Sequence, residues 1–494
     1  MAKEEINFSK NRTYVLDNRE TTGYNLYQKN RQFSCLYDKI IFQFCQVKEG
    51  DLSAARYWFF LVAAGRNPGK ERMMDRSYIC IDLKSFYASV ECVERHLDPF
   101  TANLVVADPT RSKSTICLAI TPAMKKLGVK NRCRIHEIPE NITYITAMPR
   151  MQLYLDYSAR IYSIYLRYLS KADIHVYSVD ECFMDVTDYL HLYQLTPKEM
   201  AVMLMDAVRK ETGITATAGV GTNLYLAKIA MDIIAKHTPD HIGILNEIAY
   251  REQLWDHQPL RDFWMIGSRT ERKLAGYGIH TMGDIALASL SSEDLLFKIF
   301  GVDAELLIDH AWGCESCRME DIKNYRTEGH SLSNGQVLMR NYSFEEGIVI
   351  AKEMTDVLSL DLVEKGLATS SVTLWIAYDH RFGREPTRGS AKFPDPTNSS
   401  KKLIHAVEQI YQETTDRHTG IRRVEIYAGK VFPETYCQYD LFSDPEEQDK
   451  EKRLQEAILR VKKRYGKNAI MRGANLLKCS TYAERNNQIG GHKA

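Results

Sequence analysis

Three carboxylates in two apolar segments are the side chains with the clearest capacity for chemistry. Asp82 is the only charge in the apolar run at 78–83, and Asp180 and Glu181 are adjacent between two strand-like runs at 174–186. An unpaired buried carboxylate is costly, and neighbouring carboxylates repel unless a cation lies between them. Such a set could hold two divalent ions, about 3.5–4 Å apart, that activate one oxygen and stabilise a leaving phosphate. The spacing alone leaves an alternative open, in which 180–181 is a polar turn and Asp82 caps a helix.

The segments that must position these carboxylates alternate between apolar runs and helical patterns. Up to residue 242 the sequence predicts helices at about 150–170 and 197–211 and strands at 78–83, 104–108, 116–120, 174–186 and 214–220. Short helical units with glycine punctuation follow at 243–320. Beyond 330 the pattern predicts a strand, a helix and a strand, then a loop at 381–400, a helix at 401–415 and a strand at 423–431. This order is typical of an α+β protein with several domains.

Length and composition exclude several classes of protein. The chain has 494 residues, which is enough for about three or four domains. No stretch of about 18 residues lacks charge, so we expect no membrane partner. Eleven scattered cysteines fit a reducing, cytoplasmic location better than a disulfide scaffold. The net charge of +1 does not by itself indicate a nucleic-acid partner, but segment 449–494 has twelve Lys or Arg residues against four Asp or Glu residues.

Three sequence blocks change the balance between the two interpretations of the carboxylates. They are DLKSFYASVE at 82–91, YSVDECFMD at 177–185, and GVGTN leading to LAKIA at 219–230. In this order they resemble the signature blocks of Y-family DNA polymerases, the translesion enzymes, and most of all the UmuC-like branch found in Gram-positive bacteria. The resemblance covers about 77–480 and implies error-prone, template-directed DNA synthesis in DNA repair and the SOS response. A non-catalytic, polymerase-like regulator that binds DNA and a sliding clamp is the alternative.

The resemblance also implies a fold and its division into domains. The expected fold is an α+β right hand with palm, fingers, a helical thumb that contains a helix-hairpin-helix, and an α/β little finger. Residues 1–72 carry no motif and are expected to be an N-terminal extension of unknown role. The other expected boundaries are 73–98 and 151–242 for the palm, 99–150 for the fingers, 243–320 for the thumb, 330–433 for the little finger and 434–494 for a basic C-terminal tail with a clamp-binding motif.

For the active site, the resemblance implies a metal centre and a sugar-selective wall. Asp82, Asp180 and Glu181 would hold two Mg²⁺ ions (Mn²⁺ is the alternative), and the main-chain carbonyl of Leu83 would be a further ligand. Tyr87 would be the steric gate that rejects a 2′-hydroxyl, with Phe86 beside it. The residues expected to contact the incoming dNTP are Lys125, Lys228 and Thr121.

Further motifs indicate contacts with macromolecules. Two short glycine-containing helices, at 265–268 and 274–279, would grip phosphate through Gly267, Gly276 and Gly278, although a glycine-capped helical turn gives the same pattern. In the 381–400 loop the candidates for backbone contacts with primer–template DNA are Arg381, Arg384, Arg388 and Lys392; a solvated loop is the alternative.

The C-terminal segment adds two expected partners. Gln438, Leu441 and Phe442 resemble the pentapeptide by which bacterial polymerases bind the sliding clamp (the β subunit). The basic helix after them could follow DNA phosphates, bind a recombinase filament or accessory subunit, or simply be solvated. The protein is expected to be a monomer.

Overall fold

A computed structural model of the chain describes residues 76–111, 114–326, 331–434 and 445–494. The expected N-terminal extension at 1–72 lies outside these residues. The expected clamp-binding residues Gln438, Leu441 and Phe442 also lie outside them. Among the described helices, none is both long and apolar enough for a membrane span.

Two sheets and their helices occupy the chain from residue 76 to residue 245. In chain order the elements are β1 (Tyr78–Leu83), α1 (Phe86–Val93), β2 (Leu104–Val106), β3 (Ala119–Ile120), α2 (Pro122–Lys126), β4 (Ile145–Ala147), α3 (Met151–Tyr165), β5 (Ile174–Val176), β6 (Glu181–Asp185), α4 (Thr187–Tyr193), α5 (Pro197–Thr212), β7 (Ala216–Gly221), α6 (Leu224–Ile229) and β8 (Ile242–Leu245). The larger sheet has the order β5-β6-β1-β7-β8, and the smaller has the order β3-β2-β4. The strands of the smaller sheet follow α1 in the chain and precede α3.

Strand β1 alternates between two differently covered faces of the larger sheet. Ile79, Ile81 and Leu83 point into the main core with the buried residues of α3 and α5, whereas Tyr78 and Cys80 lie in a second cluster under α6. Because side chains alternate along a strand, Asp82 lies on the face of Tyr78 and Cys80. The carboxylate is therefore directed toward α6 and not into the main core.

Two glycines allow α6 to lie directly against β7. A Cβ at Gly219 would be 2.0 Å from the carbonyl oxygen of Ala227, and a Cβ at Gly221 would be 2.2 Å from the amide nitrogen of the same residue. No other residue type has room for this approach. The block GVGTN therefore sets how closely the helix that carries Lys228 approaches the sheet.

Helices make up the next section of the chain, as predicted. They are α7 (Glu247–Leu254), α8 (Ser268–Ala275), α9 (Met282–Ser291), α10 (Glu293–Phe300), α11 (Asp303–Trp312) and α12 (Met319–Asn324). One detail differs from the expectation, because 274–279 does not form a second short helix. It is the end of α8 and the following turn, in which Gly278 has a φ of +76°, and the second helix is α9, whose N-cap is Thr281.

A four-stranded sheet with two helices on one face follows. Its elements are β9 (Ser331–Tyr342), α13 (Phe344–Glu364), β10 (Leu367–Tyr378), β11 (Thr387–Thr397), α14 (Ser400–Thr414) and β12 (Ile421–Pro433), with the strand order β11-β10-β12-β9. The prediction of a loop over the whole of 381–400 was wrong, because β11 occupies most of it. Its burial alternates residue by residue, which is the pattern of a strand with one covered and one open face.

The C-terminal segment is folded onto the domain that contains the four-stranded sheet. It comprises α15 (Pro445–Tyr465), α16 (Tyr482–Asn486), β13 (Gln488–Ile489) and β14 (His492–Lys493). The predicted basic helix exists as α15, and Gln455 on it is buried and donates hydrogen bonds to the Ser359 hydroxyl and the Asn398 carbonyl. The segment is thus packed against the domain along part of its length.

Candidate active site

The three carboxylates predicted from the sequence meet at one edge of the five-stranded sheet. Strands β1 and β6 are antiparallel, and Asp82 is directly opposite Glu181 in their register. The Leu83 amide donates a hydrogen bond of 2.9 Å to the main-chain carbonyl of Asp180. The peptide that follows Asp82 is therefore fixed beside the Asp180–Glu181 turn. The N-cap of α1 is Ser85, so Asp82 does not cap that helix.

Burial and the repulsion between neighbouring carboxylates oppose the ionisation of Asp82 and Glu181. Burial raises the pKa of Asp82 to about 8, and the charges of Asp180 and Glu181 add to the shift. Burial also raises the pKa of Glu181, although Lys228 opposes it. Carboxylates with raised pKa values at one sheet edge bind cations well once they ionise, because a cation removes the repulsion.

Lys228 on α6 lies against this carboxylate pair. Its Nζ is 2.5 Å from Oε1 of Glu181 and 2.9 Å from Oδ2 of Asp232, one turn further along the chain. Burial alone would lower the pKa of Lys228, but Glu181 and Asp232 together raise it above its ordinary value. The Cys80 thiol also donates to Oε1 of Glu181. Glu181 is thus held by a buried ion pair and a thiol.

The donor set fits a hard divalent cation, although the side chains are not arranged as a finished metal site. Carboxylate and carbonyl oxygens are the ligands that Mg²⁺ prefers. Within the described ranges, no three His, Cys, Asp or Glu side chains are grouped as a metal site. The contacts explain why, since Glu181 is turned toward Lys228 and the Asp180 carboxylate accepts a 2.6 Å hydrogen bond from the Ser178 hydroxyl.

Tyr87, the predicted steric gate, lies on α1 and is stacked on a second tyrosine. The ring centroids of Tyr87 and Tyr154 are 4.5 Å apart and the rings are within 17° of parallel. Phe86 is buried in the main core, with its ring centroid 5.8 Å from that of Tyr87. Phe86 therefore supports Tyr87 from the core.

Sequence reasoning missed the polar network behind this stack. The Tyr154 hydroxyl donates to the buried Glu91 carboxylate at 2.7 Å, and the Arg150 guanidinium donates to both Glu91 oxygens at 3.0 and 2.8 Å. Burial opposes ionisation of Glu91, yet the hydrogen bonds from Arg150, Tyr154 and Arg95 keep its pKa below the ordinary value. A glutamate in the otherwise apolar helix 86–93 was the available signal.

The two nucleotide contacts predicted in the fingers have different surroundings. Lys125 on α2 is exposed, and its pKa is lowered by desolvation while the Asp82 charge opposes the shift, so it lies within electrostatic reach of that carboxylate. Thr121 is fully buried, and its hydroxyl donates to the Ala102 carbonyl and accepts from the Leu104 and Met124 amides. The structure therefore gives Thr121 a role as the N-cap of α2, and its contact with the nucleotide stays a prediction.

A third lysine, Lys84, follows Asp82 by two residues. Burial lowers the pKa of Lys84 to about 8, and Asp82 opposes this shift. Lys84 in turn helps to lower the pKa of His241, after desolvation. Lys228 thus contacts the acidic edge, and Lys84 and Lys125 lie near enough for the Asp82 charge to affect their pKa values. All three would attract phosphate groups.

The residues predicted to contact DNA fall into two groups. Gly267, Gly276 and Gly278 are exposed at the start of α8 and in the turn after it. Arg381 is bonded to the Asp379 carboxylate, and Arg384 is 3.2 Å from that of Asp416. Arg388 and Lys392 project from the open face of β11, which is an edge strand.

Known proteins match this chain over nearly all of the described domains. The model of the impB/mucB/samB family matches residues 81–232, and that of the impB/mucB/samB family C-terminal domain matches residues 330–441. The Putative UV-damage repair protein UvrX of Bacillus subtilis (strain 168) is 29% identical, over 85% of this chain and 98% of the relative. DNA polymerase IV 2 of the same strain is also 29% identical, over 85% of this chain and 99% of the relative.

A solved structure shows the same fold. It is the Y-family DNA polymerase chimera Dbh-Dpo4(243-245)-Dbh, with a TM-score of 0.54 and 21% identity, covering 72% of this chain and 99% of the chimera. The first matched family region contains the carboxylate edge and Lys228, and the second begins at the four-stranded sheet. This chain therefore belongs to the impB/mucB/samB family, the Y-family DNA polymerases.

Proposed function

We propose that the protein is a template-directed DNA polymerase that extends primers past lesions, with low fidelity, in DNA repair and the SOS response. The observation that carries this proposal is the register of Asp82 opposite Glu181, with Asp180 beside them and three lysines around the acidic edge. Family membership agrees with it. Primer–template DNA and a dNTP would be the substrates.

Nucleotidyl transfer would use the acidic edge as a two-metal site. Asp82, Asp180, Glu181 and the main-chain carbonyl of Leu83 would hold two Mg²⁺ ions, or Mn²⁺. When bound, these ions lower the pKa of the primer 3′-hydroxyl and neutralise charge on the triphosphate and the departing pyrophosphate. The chain itself would orient the triphosphate with Lys125 and Lys228. Glu181 would have to leave its ion pair with Lys228 in order to become a metal ligand.

The sugar of the incoming nucleotide would be selected by the Tyr87 ring. Because this ring is stacked on Tyr154 and backed by the buried Phe86, it cannot easily move aside for a 2′-hydroxyl. The Tyr154 ring is held in turn, because its hydroxyl donates a hydrogen bond to Glu91, which also accepts from Arg150.

Parts of the protein outside the carboxylate edge would bind the DNA and the partner proteins. The turn with Gly276 and Gly278 would grip one phosphate backbone, and the open face of β11 would hold another stretch through Arg388 and Lys392. We also propose that 438–442 binds the sliding clamp and that the enzyme acts in the cytoplasm as a monomer. Alanine at Gln438, Leu441 and Phe442 should then abolish clamp capture while distributive synthesis continues.

A primer-extension assay with Mg²⁺, on undamaged and lesion-containing templates, tests the proposal. The wild type should extend both templates, and Asp180→Ala should lose extension while still binding DNA. Asp206→Ala is the matched control, because Asp206 is exposed on α5 of the same domain. A wild type that binds DNA and adds no nucleotide would instead support the non-catalytic regulator. Full activity of Asp180→Ala would refute the metal role.

A further inference from the structure

The C-terminal segment covers a row of buried polar side chains on α13. Glu353, Asp356 and Ser359 follow one another at intervals of three residues, and all three are buried. Helical geometry places such residues along one side of the helix. Buried carboxylates and hydroxyls require partners, so whatever covers this row must be polar itself.

The C-terminal segment supplies a partner for each of them. The Thr481 hydroxyl donates to Glu353 at 2.7 Å, the Arg472 guanidinium donates to Asp356 at 2.6 Å, and the Gln455 amide donates to the Ser359 hydroxyl at 2.7 Å. Residues 445–487 are therefore an outer layer of the four-stranded domain.

The last residues then leave this domain and reach the first one. Ile489 packs against the main core cluster of the five-stranded sheet, and β13 lies against α3. The Arg111 guanidinium, in the inserted domain, donates to the Gly491 carbonyl. Arg485 still bonds to Gln336 of β9. Ile489 is four positions after Arg485, a reach of about 14 Å when fully extended, so this connection has little slack.

We propose that residues 488–494 form a positioning strap that fixes the four-stranded domain to the palm and the inserted fingers. A strap anchored on both sides restrains how the four-stranded domain can rotate relative to the palm. Insofar as the proposed polymerase function holds, the strap sets the distance between the β11 face and the carboxylate edge. Ile489 is then a positioning residue, because it anchors the strap in the main core cluster.

Distance measurement within the full-length chain tests this directly. One fluorophore is attached at position 210, which is exposed on α5, and the other at position 405, which is exposed on α14 of the four-stranded domain. Attachment through azido amino acids avoids labelling the eleven cysteines. The wild type should show one narrow distribution of the distance between the two fluorophores. Ile489→Asp should broaden this distribution by raising the population in which the strap is detached from the palm. We expect that population to rise about 5–30-fold, which corresponds to the loss of one or two kcal/mol. Leu476→Asp is the control, because Leu476 is 74% exposed on the same segment.

A deletion of 488–494 guards against an effect of Ile489→Asp on folding, because it keeps the Gln455, Arg472, Thr481 and Arg485 bonds. It should also broaden the distance and reduce the number of nucleotides added per binding event. An unchanged distance in both variants would refute the strap. A broader distance with unchanged processivity would refute its positioning role. If the wild type adds no nucleotide at all, the polymerase proposal fails, while the distance result still decides the strap.

Discussion

Lys228 and Glu181 form a buried ion pair, with 2.5 Å between Nζ and Oε1, in the middle of the acidic edge. Both side chains are about 90% buried, so neither charge is well solvated if the pair opens. A lysine that binds phosphate must leave this carboxylate, and the carboxylate must leave the lysine to become a metal ligand. Nucleotide and metal therefore compete with the same internal contact, which links their binding.

Removing the lysine should uncover an uncompensated buried carboxylate. We expect Lys228→Met to lower the free energy of unfolding by about 3–5 kcal/mol. The Glu181→Gln change should restore part of this loss in the double variant. Urea unfolding measures both. Lys198→Met is the control, because Lys198 pairs with Asp240 at 2.6 Å on the surface, and a surface pair is worth about 0–1 kcal/mol. Equal losses for Lys228→Met and Lys198→Met would contradict the prediction.

Truncating Tyr87 should admit ribonucleotides. Tyr87→Ala removes the ring stacked on Tyr154 and leaves space where a 2′-hydroxyl would lie. We expect the preference for dNTP over NTP to fall by about 10–200-fold, the range for one steric group in a pocket. The ratio of kcat/KM for the two nucleotides measures it. Tyr87→Phe keeps the ring and should keep the preference for dNTP. If Tyr87→Phe also lost this preference, the hydroxyl and not the ring would be the selective group.

The metal-free protein should become less stable as the pH rises. The pKa of Asp82 is about 8 in the folded chain and 3.8 ordinarily, so folding favours the protonated form. Its contribution to stability is complete below about pH 4 and is lost as the pH rises to about 8. Asp82→Asn should remove this loss and make the chain more stable than the wild type at pH 8. Urea midpoints in EDTA at pH 5 and 8 measure the difference.

The matched control for this pH dependence is Asp206→Asn, since Asp206 is exposed on the same domain. Added Mg²⁺ should raise the wild-type midpoint more at pH 8 than at pH 5, because the carboxylates are then ionised. A pH profile that Asp82→Asn leaves unchanged would remove Asp82 as its source.

The two groups of basic residues near β11 should differ in their contribution to DNA binding. Arg388 and Lys392 lie on the open face of the edge strand, whereas Arg381 and Arg384 are paired with Asp379 and Asp416. Replacing Arg388 and Lys392 by Ala should make the negative slope of log affinity against log salt shallower by about 2. The same change at Arg381 and Arg384 should lower it less. A larger effect from the paired arginines would contradict this assignment.

Local pattern predicted the strand and the turn that carry the acidic edge, but not the electrostatics of the edge. The strand at 78–83 and the turn at 180–181 were recognisable because apolar runs and charges are local features. The ion pair between Lys228 and Glu181 depends on how closely α6 approaches β7, which Gly219 and Gly221 determine in three dimensions. No spacing in the sequence reports that distance.

Strand β11 shows why a composition rule can fail. Prolines and glycines between 381 and 400 suggested a loop, yet Pro394 and Pro396 lie in an edge strand, where a missing N–H does not break a ladder on both sides. The alternation of exposed and covered residues in TRGSAKFPDPT was the better signal. The contacts of Glu353 and Asp356 were beyond local reasoning, because their partners are 128 and 116 residues away.

Those separations have a consequence for biosynthesis. A chain emerging from the ribosome folds its domains in order of synthesis. The Glu353 and Asp356 carboxylates therefore gain their contacts with Thr481 and Arg472 only after more than a hundred further residues have been translated. A transcript truncated near its 3′ end would yield a protein with a complete acidic edge and an unfinished C-terminal domain. Such a product is expected to leave the two carboxylates without the Thr481 and Arg472 contacts, on a helix face that has lost its cover.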